Sequence, residues 1–368
     1  MDDKRYMRLA ISEARKGSGR TSPNPAVGAV IVSATGRILA LGHHRAAGKP
    51  HAEVEALRAL KRAGSARGAT LYVTLEPCST SGRTPPCTNA ILDAAFARVV
   101  IGTVDPNPAH AGRALKILRQ KGIVVHSGVL SSECEALNAA YNKWIVDRIP
   151  LVIAKAGLSL DGRLTRPPGE SRWLTCAQSR ADAHVLRADV DAILIGANTL
   201  RTDDPQLTVR GVKNSRQPWR VVLTKSGNLP TGARLFTDEH RERTLVYRQE
   251  NGAAQIDVFQ GDNKTLESSF PWRDRPLLEG VLRDLGAREI TSVMIEGGSR
   301  VLSQAFDEHL VDRVHFYLAP LLCGGPTFAI AGRGIGSSEE SPTLINPEYR
   351  QIGSDLRLTA GLAWPSVA

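Results

Sequence analysis

A histidine, a glutamate and two cysteines stand at chemistry-bearing intervals early in this 368-residue chain: His51-Ala-Glu53, then Pro77-Cys78, then Cys87. One imidazole and two thiolates suit a zinc ion and leave its fourth tetrahedral position open for water. A carboxylate two residues from the ligand histidine can move protons between that water and a substrate. This is the order of groups in zinc deaminases, where the activated water attacks a ring carbon bearing an amino group. Two residues usually separate the cysteines of that pattern; here eight do. A structural zinc site would close its shell with a fourth Cys or His close by. No other cysteine lies within 40 residues, and the nearest spare histidines, His43 and His44, precede the motif. A catalytic centre is expected, with His51, Cys78 and Cys87 as ligands and Glu53 as general acid and base.

These groups need elements to carry them. Glu53–Lys61 reads as a helix with Val54, Leu57 and Leu60 on one side. Gly68–Leu75 reads as a buried strand leading into Glu76-Pro77-Cys78. Pro85-Pro86 opens a second helix with Cys87 in or beside its first turn, where backbone N–H groups favour a thiolate. Strand, loop and helix thus bring both sulfurs to one point. Around them, Arg5–Lys16 is an expected helix, and Ala26–Ser33 and Arg37–Gly42 are paired strands about an Ala34-Thr35-Gly36 turn. Arg98–Thr103 and Val124–His126 are strands, Gly112–Gln120 a helix, and Ser131–Val146 one further helix. Asn24, between Pro23 and Pro25, is either a turn residue or an amide that reads a pyrimidine edge.

The pattern restarts after Ile149-Pro150, so a deaminase domain over 1–149 and a second domain over 150–368 are expected. The second repeats strand and helix. Strands are expected at Leu151–Lys155, Ala192–Ile195, Arg220–Leu223, Ser292–Ile295, Arg313–Leu318 and Leu356–Thr359. Helices are expected at Ala177–Arg187, around Gly280–Leu285 and at Val301–Phe306. Gly211–Arg216, Gly227–Gly232 and Gly261–Pro271 read as polar, turn-rich loops. The absence of Gly-x-Gly-x-x-Gly argues against a Rossmann dinucleotide site. Two strand-to-helix junctions, Ile195–Thr199 and Glu296–Ser299, instead offer free backbone N–H groups to phosphate.

Hydrophobic residues are 42% and charged residues 23%, ordinary for a soluble globular protein. No apolar run reaches membrane-spanning length, and the charged N-terminus lacks a leader-like apolar stretch, so a cytoplasmic protein with no membrane partner is expected. Five cysteines, two of them metal ligands, make no disulfide framework. Cys134, Cys176 and Cys323 read as small buried hydrophobes. The net charge is +10, but the basic residues are dispersed and aromatics are only 5%. That argues against a nucleic-acid partner and for phosphorylated small molecules.

Several longer motifs sharpen the reading. Thr74-Leu-Glu-Pro-Cys-Ser-Thr-Ser-Gly-Arg-Thr-Pro-Pro-Cys87, Pro23-Asn-Pro-Ala-Val-Gly28, His51-Ala-Glu-Val54 and Asp105-Pro-Asn-Pro108 closely resemble the deaminase half of the bifunctional riboflavin-biosynthesis deaminase–reductases. That family also uses the long cysteine spacing. Lys155–Arg163, Gly169–Trp173, Thr202–Arg210 and Ile295–Gly298 resemble its reductase half, in the same order. The resemblance covers nearly the whole chain. It implies an α/β protein, with a cytidine-deaminase-like three-layer α/β/α domain followed by a dihydrofolate-reductase-like α/β domain that uses NADPH. It implies that Asn24, His44 and Arg83 contact a pyrimidine ribose-phosphate in the first half. In the second, Lys155, Ser171, Arg187, Arg210 and Glu296 would contact substrate, with Asp203 catalytic at the reacting ribose. Trp173 and Thr175 would lie beside the cofactor, as would Gly196, Thr199, Gly297 and Gly298 at the two junctions. Two departures stand out. Many members carry His at the position of Thr80, and relatives usually carry Lys at that of Leu321.

The expected activity is hydrolytic deamination of 2,5-diamino-6-ribosylamino-4(3H)-pyrimidinone 5′-phosphate, then NADPH-dependent reduction of the ribosyl group to ribityl, in a homo-oligomer (dimer or tetramer). The alternatives are a nucleic-acid or nucleoside zinc deaminase fused to a reductase-like binding domain, and a non-catalytic zinc scaffold. Few aromatics speak against the first and an intact Glu53 against the second.

Overall fold

Apolar runs alternating with amphipathic stretches assemble, in the computed structural model, into two units, Met1–Arg148 and Ile149–Ala368. The structure describes residues 2–60, 65–80, 85–166, 169–170, 173–213, 215–250, 253–260, 263–267 and 277–365, with backbone alone at 249–250, 253–260, 263–267 and 277.

The first unit runs α1 (Asp3–Arg15), β1 (Gly28–Val32), β2 (Ile38–His43), α2 (Ala52–Leu60), β3 (Thr70–Leu75), α3 (Cys87–Asp93), β4 (Arg98–Thr103), α4 (Arg113–Gln120), β5 (Val124–Ser127), α5 (Ser131–Leu137) and α6 (Ala139–Asp147). Among the described residues, five strands form one sheet in the order β2-β1-β3-β4-β5. β1 pairs antiparallel with β2 and β3, and β3, β4 and β5 run parallel. Alternate strand residues face opposite helix layers. Val30, Val32, Tyr72 and Val100 pack with α1 and Cys134 of α5. Ala29, Ile31, Leu71 and Val73 pack with Ala52 and Ala56 of α2, Ile91 of α3 and Leu118 of α4. Every residue of β3 is therefore buried, as a strand covered on both faces requires.

Contact distance sets which side of α2 is buried. Its buried stripe is Ala52, Glu53, Ala56 and Leu60 rather than the expected Val54, Leu57 and Leu60. Gly42 on β2 explains the rotation: a Cβ there would lie 2.3 Å from Ala56 N and 2.5 Å from Ala52 O. Small residues on both sides let the backbones touch. A second correction concerns Ser131–Val146, which is two helices and not one. Asn138 separates them because its buried side chain accepts from Ala26 N (2.8 Å) and donates to Ala26 O (3.0 Å).

The second unit runs β6 (Leu151–Ser159), α7 (Ala177–Asp189), β7 (Ala192–Gly196), α8 (Ala197–Asp203), β8 (Trp219–Thr224), α9 (Arg234–Thr237), β9 (Thr244–Glu250), β10 (Ala253–Gln260), β11 (Asn263–Glu267), α10 (Leu277–Ala287), β12 (Ser292–Glu296), α11 (Ser299–Asp307), β13 (Arg313–Ala319), β14 (Thr343–Ile352) and β15 (Asp355–Ala363). Its described strands form one sheet, β11-β10-β9-β8-β7-β12-β6-β13-β15-β14. The centre, from β9 to β13, is parallel and the flanks are antiparallel. Leu278, Val281, Leu282 and Leu285 of α10 and Leu302 of α11 cover one face. Leu186 of α7, Leu200 of α8 and Leu235 of α9 cover the other.

Several readings change here. The Gly261–Pro271 stretch holds a strand, β11, because antiparallel pairing with β10 satisfies its backbone despite weak local propensity. β9, β10 and β14 were not anticipated either. β14 is exposed along nearly its whole length, so no buried apolar face marks it. Of the three cysteines expected to be buried hydrophobes, Cys176 and Cys323 are half-buried and Cys134 alone is buried, as packing against Gly102 requires. No described helix is long and apolar enough to cross a membrane.

Candidate active sites

In the first unit, helix starts and a strand end meet. His51 immediately precedes α2, Glu53 lies in its first turn, Cys78 follows β3, and Cys87 is the first residue of α3 after Pro86. The donor atoms of His51, Cys78 and Cys87 all lie within 4.8 Å of one another. His51 Nδ1 is 3.2 Å from Cys87 Sγ and 3.5 Å from Cys78 Sγ. The Cys87 N–H donates to Cys78 Sγ at 3.3 Å. The Cys87 thiol, and against burial the His51 ring, hold Cys78 below a thiol's ordinary value.

Glu53 is 3% exposed, and burial pushes its carboxyl above the usual range against the pull of His51. Its Oε2 is buried with no hydrogen-bond partner. A buried carboxylate oxygen left unpaired is unfavourable by about 1–3 kcal/mol or more. A water held beside three soft-to-borderline donors would satisfy it. The donor set and this orphan oxygen together fit a zinc ion with an open position.

Asn24 and His44 form one contact. His44 Nδ1 lies 3.0 Å from the Pro50 carbonyl, which makes that nitrogen the donor, so Nε2 accepts from Asn24 Nδ2 at 3.2 Å. The His44 ring is buried and meets the His51 ring edge-on at 5.2 Å. Asn24 therefore keeps its amide oxygen for another partner. Thr80 is half-buried and its neighbour Ser79 has a buried, unpartnered hydroxyl. Arg83 lies outside the described residues.

Sequence reasoning passed over Glu76. Its buried carboxylate accepts from the backbone N–H groups of Asp105 (3.3 Å), Gly112 (2.8 Å) and Ala114 (2.9 Å). It thereby ties the strand end before Cys78 to the Asp105–Pro108 motif and the start of α4.

In the second unit, a cavity of about 860 Å³ opens at the carboxyl ends of β7, β8 and β12, the usual place for ligands in such sheets. Lys155, Trp173, Thr175, Arg187, Gly196, Thr199, Asp203, Arg210, Glu296, Gly297 and Gly298 all line it. Ser171 lies outside the described residues. At its base Glu296 accepts from Arg187 in a two-pronged pair, Nε at 2.6 Å and Nη2 at 2.7 Å, with Lys155 Nζ 3.9 Å away. Burial pushes Glu296 up, but Arg187 and then Lys155 outweigh it and hold the carboxylate at about 2. Burial also pushes the Lys155 ammonium below its ordinary value.

The two junctions lie together. Gly297 and Gly298 have φ of 85° and 75°, the left-handed region that favours glycine. A Cβ on Gly298 would sit 3.1 Å from Thr199 Oγ1 across the gap. Backbone brought this close to a cleft suits a phosphate-bearing cofactor. Asp203 and Asp204, adjacent in sequence, diverge: Asp203 faces the cavity, while Asp204 accepts from Arg234 N at 2.9 Å and pairs with its guanidinium. Leu321 does not line the cavity. His184, Lys225 and Tyr317 do, and sequence reasoning missed them. The available signal was weak: His184 precedes Arg187 by one helical turn, and Lys225 follows a predicted strand.

The family model described as cytidine and deoxycytidylate deaminase zinc-binding region matches residues 1–103, and that described as RibD C-terminal domain matches residues 150–358. The riboflavin biosynthesis protein RibD of Aquifex aeolicus is 41% identical over 355 residues, covering 96% of this chain and 97% of that protein. That of Escherichia coli is 39% identical over 368 residues, covering 97% and 99%. A crystal structure from Thermotoga maritima, a diaminohydroxyphosphoribosylaminopyrimidine deaminase/5-amino-6-(5-phosphoribosylamino)uracil reductase, is 35% identical with a TM-score of 0.85 over 98% of this chain and 99% of that one.

Proposed function

The chain belongs to the RibD family of riboflavin-biosynthesis proteins and is a bifunctional deaminase and reductase; from that premise we propose the substrates, the cofactor and the residues that act. The first site deaminates 2,5-diamino-6-ribosylamino-4(3H)-pyrimidinone 5′-phosphate and releases ammonia. The second reduces the resulting ribosylaminouracil phosphate at C1′, opening the sugar to a ribityl chain, with NADPH as the reductant.

At the first site His51, Cys78 and Cys87 would hold zinc, which when bound lowers the pKa of water. Glu53 would shuttle two protons from water there, the first to the ring nitrogen and the second to the departing amine. Its buried, unpartnered Oε2 is the observation that carries this assignment. Asn24, oriented by His44, reads the pyrimidine edge, and Arg83 takes the ribose-phosphate. At the second site a nicotinamide cofactor supplies hydride when bound. Trp173, Thr175 and the two glycine junctions seat it. Arg187, Arg210 and Ser171 take the substrate's phosphate side. Asp203 accepts from ribose hydroxyls, and half-buried Lys155, a readier proton donor because desolvation lowers its pKa, stands with Glu296 at the reacting carbon. Cationic Lys225, Arg201 and Arg300 along the cleft favour NADPH over NADH.

We also propose a cytoplasmic homo-oligomer. Five free thiols fit a reducing compartment. The exposed edge of β14, with Leu344, Ile345 and Tyr349 outward, fits covering by a second copy.

The test is a pair of assays: ammonia release from the diaminopyrimidine phosphate or from single-stranded oligonucleotides, and nucleotide oxidation with NADPH against NADH. The proposal expects ammonia only from the first and a lower KM for NADPH. Ammonia from oligonucleotides alone would overturn the substrate, and equal KM values would overturn the cofactor preference.

A further inference from the structure

We propose that His184 is a positioning residue for the reductase, holding segment 204–210 against α7 so that Arg210 and Arg187 meet one phosphate. The inference rests on the reading above that these two arginines take the substrate's phosphate.

Residues 204–210 follow α8 without regular structure. Asp204 and Leu207 have φ of 38° and 51°, a region that non-glycine residues adopt at some strain. Such backbone persists only where its surroundings hold it. Leu207 is buried, and three side chains grip the backbone beyond it. Gln217 accepts from Val209 N (2.8 Å) and donates to Val209 O (3.1 Å). Arg187 Nη1 donates to Thr208 O at 3.0 Å. The Arg210 N–H donates to His184 Nδ1 at 3.2 Å.

Of these three ties, the last acts on the residue that carries the guanidinium. His184 and Arg187 are three apart on α7, so they share a helix face, and both line the cavity. To accept through Nδ1 the imidazole must be neutral, with its proton on Nε2. Burial, then the charges of Arg187 and Arg210, push the ring toward the neutral form and outweigh Glu296 and a hydrogen bond to the Thr208 backbone, which adds a second tie from His184 to the segment.

The charge distribution shows why Arg210 must be held. Arg187 already pairs with Glu296 through two hydrogen bonds. Arg210 is exposed, and among the described residues no carboxylate pairs with it. Its Nη1 touches only Gln206 (2.6 Å) and Thr208 (3.3 Å), both in its own segment. The direction of this uncompensated charge therefore follows the segment's backbone, and His184 sets that backbone at Arg210.

The test uses the full-length protein with the phosphoribosylamino-uracil substrate and its unphosphorylated ribosyl counterpart. His184→Leu should raise KM for the phosphorylated substrate about 3–10-fold, the worth of one hydrogen bond, with kcat and the unphosphorylated KM unmoved. His184→Asn, whose Oδ1 can stand in for Nδ1, should restore most of that loss. Unchanged NADPH binding, followed by fluorescence, shows that each variant retains its cofactor side. Arg210→Met is the reference. If it keeps the phosphate preference, the phosphate reading itself fails. If Arg210→Met loses the preference while His184→Leu keeps it, the His184 inference fails. It fails equally if kcat falls with KM unmoved, or if Asn does not rescue.

Discussion

Two carboxylates carry the sharpest consequences at the scale of single residues. Glu53→Gln keeps the shape of the side chain and removes its ability to accept a proton. Deamination should fall about 10²–10⁴-fold with zinc content unchanged. Near-normal turnover would move the proton transfer to another group. Asp203 and Asp204 form an internal control, because their charges are equal and their surroundings differ. Asp203 lines the reductase cavity, and Asp204 braces Arg234. Asp203→Asn should lower kcat for NADPH oxidation more than Asp204→Asn does, with deaminase activity intact in both. The reverse order would contradict the role given to Asp203, and a change confined to the KM for NADPH would place it at the cofactor.

At the scale of elements, long-range hydrogen bonds decide where helices stop and loops stand. Asn138 ends α5 and clamps Ala26, next to the Pro23–Pro25 loop that carries Asn24. Asn138→Ala leaves two backbone groups of Ala26 without partners and should cost about 1–3 kcal/mol of stability to urea. It should also raise the deaminase KM by loosening that loop, whereas unchanged stability and KM would mean that water replaces the amide. His315 on β13 tests burial in another way. Desolvation, then Arg313 and Arg357, push its pKa down from 6.5 to about 4. The unfolded chain therefore binds this proton before the folded one does. Stability is lost as pH falls from about 6.5 to about 4, by roughly 3 kcal/mol at most. Thermal unfolding of His315→Gln should show a shallower decline over that window, and parallel curves would assign the acid sensitivity to other groups.

At the scale of the whole molecule, the two chemistries are carried by separate stretches of chain. His51, Cys78 and Cys87 all lie in the first unit, and every described residue of the 860 Å³ cavity lies in the second. Cys87→Ser should abolish deamination and lower the zinc stoichiometry while leaving NADPH oxidation within about twofold of normal, since the two sets of residues have no member in common. An equal loss of both activities in a folded protein would show that the sites depend on each other.

By itself the sequence determined the chemistry and most of the frame. Ligand types, their order and Glu53 announce a zinc deaminase because few other arrangements need those groups in that order. The central strands were legible because burial on both faces demands continuous apolar runs. Features set by distant partners were not. The break at Asn138 depends on Ala26, 112 residues away. The buried side of α2 depends on Gly42, and the different duties of Asp203 and Asp204 depend on a left-handed turn between them and Arg234. Glu76 and His184 take their meaning from backbone groups 26 to 38 residues away, and the outer strand β14 is exposed along nearly its whole length, so no apolar alternation marks it. Only tertiary structure could decide these, because hydrogen bonds and close contacts act through space, whereas periodicity and motif spacing report on neighbours in sequence.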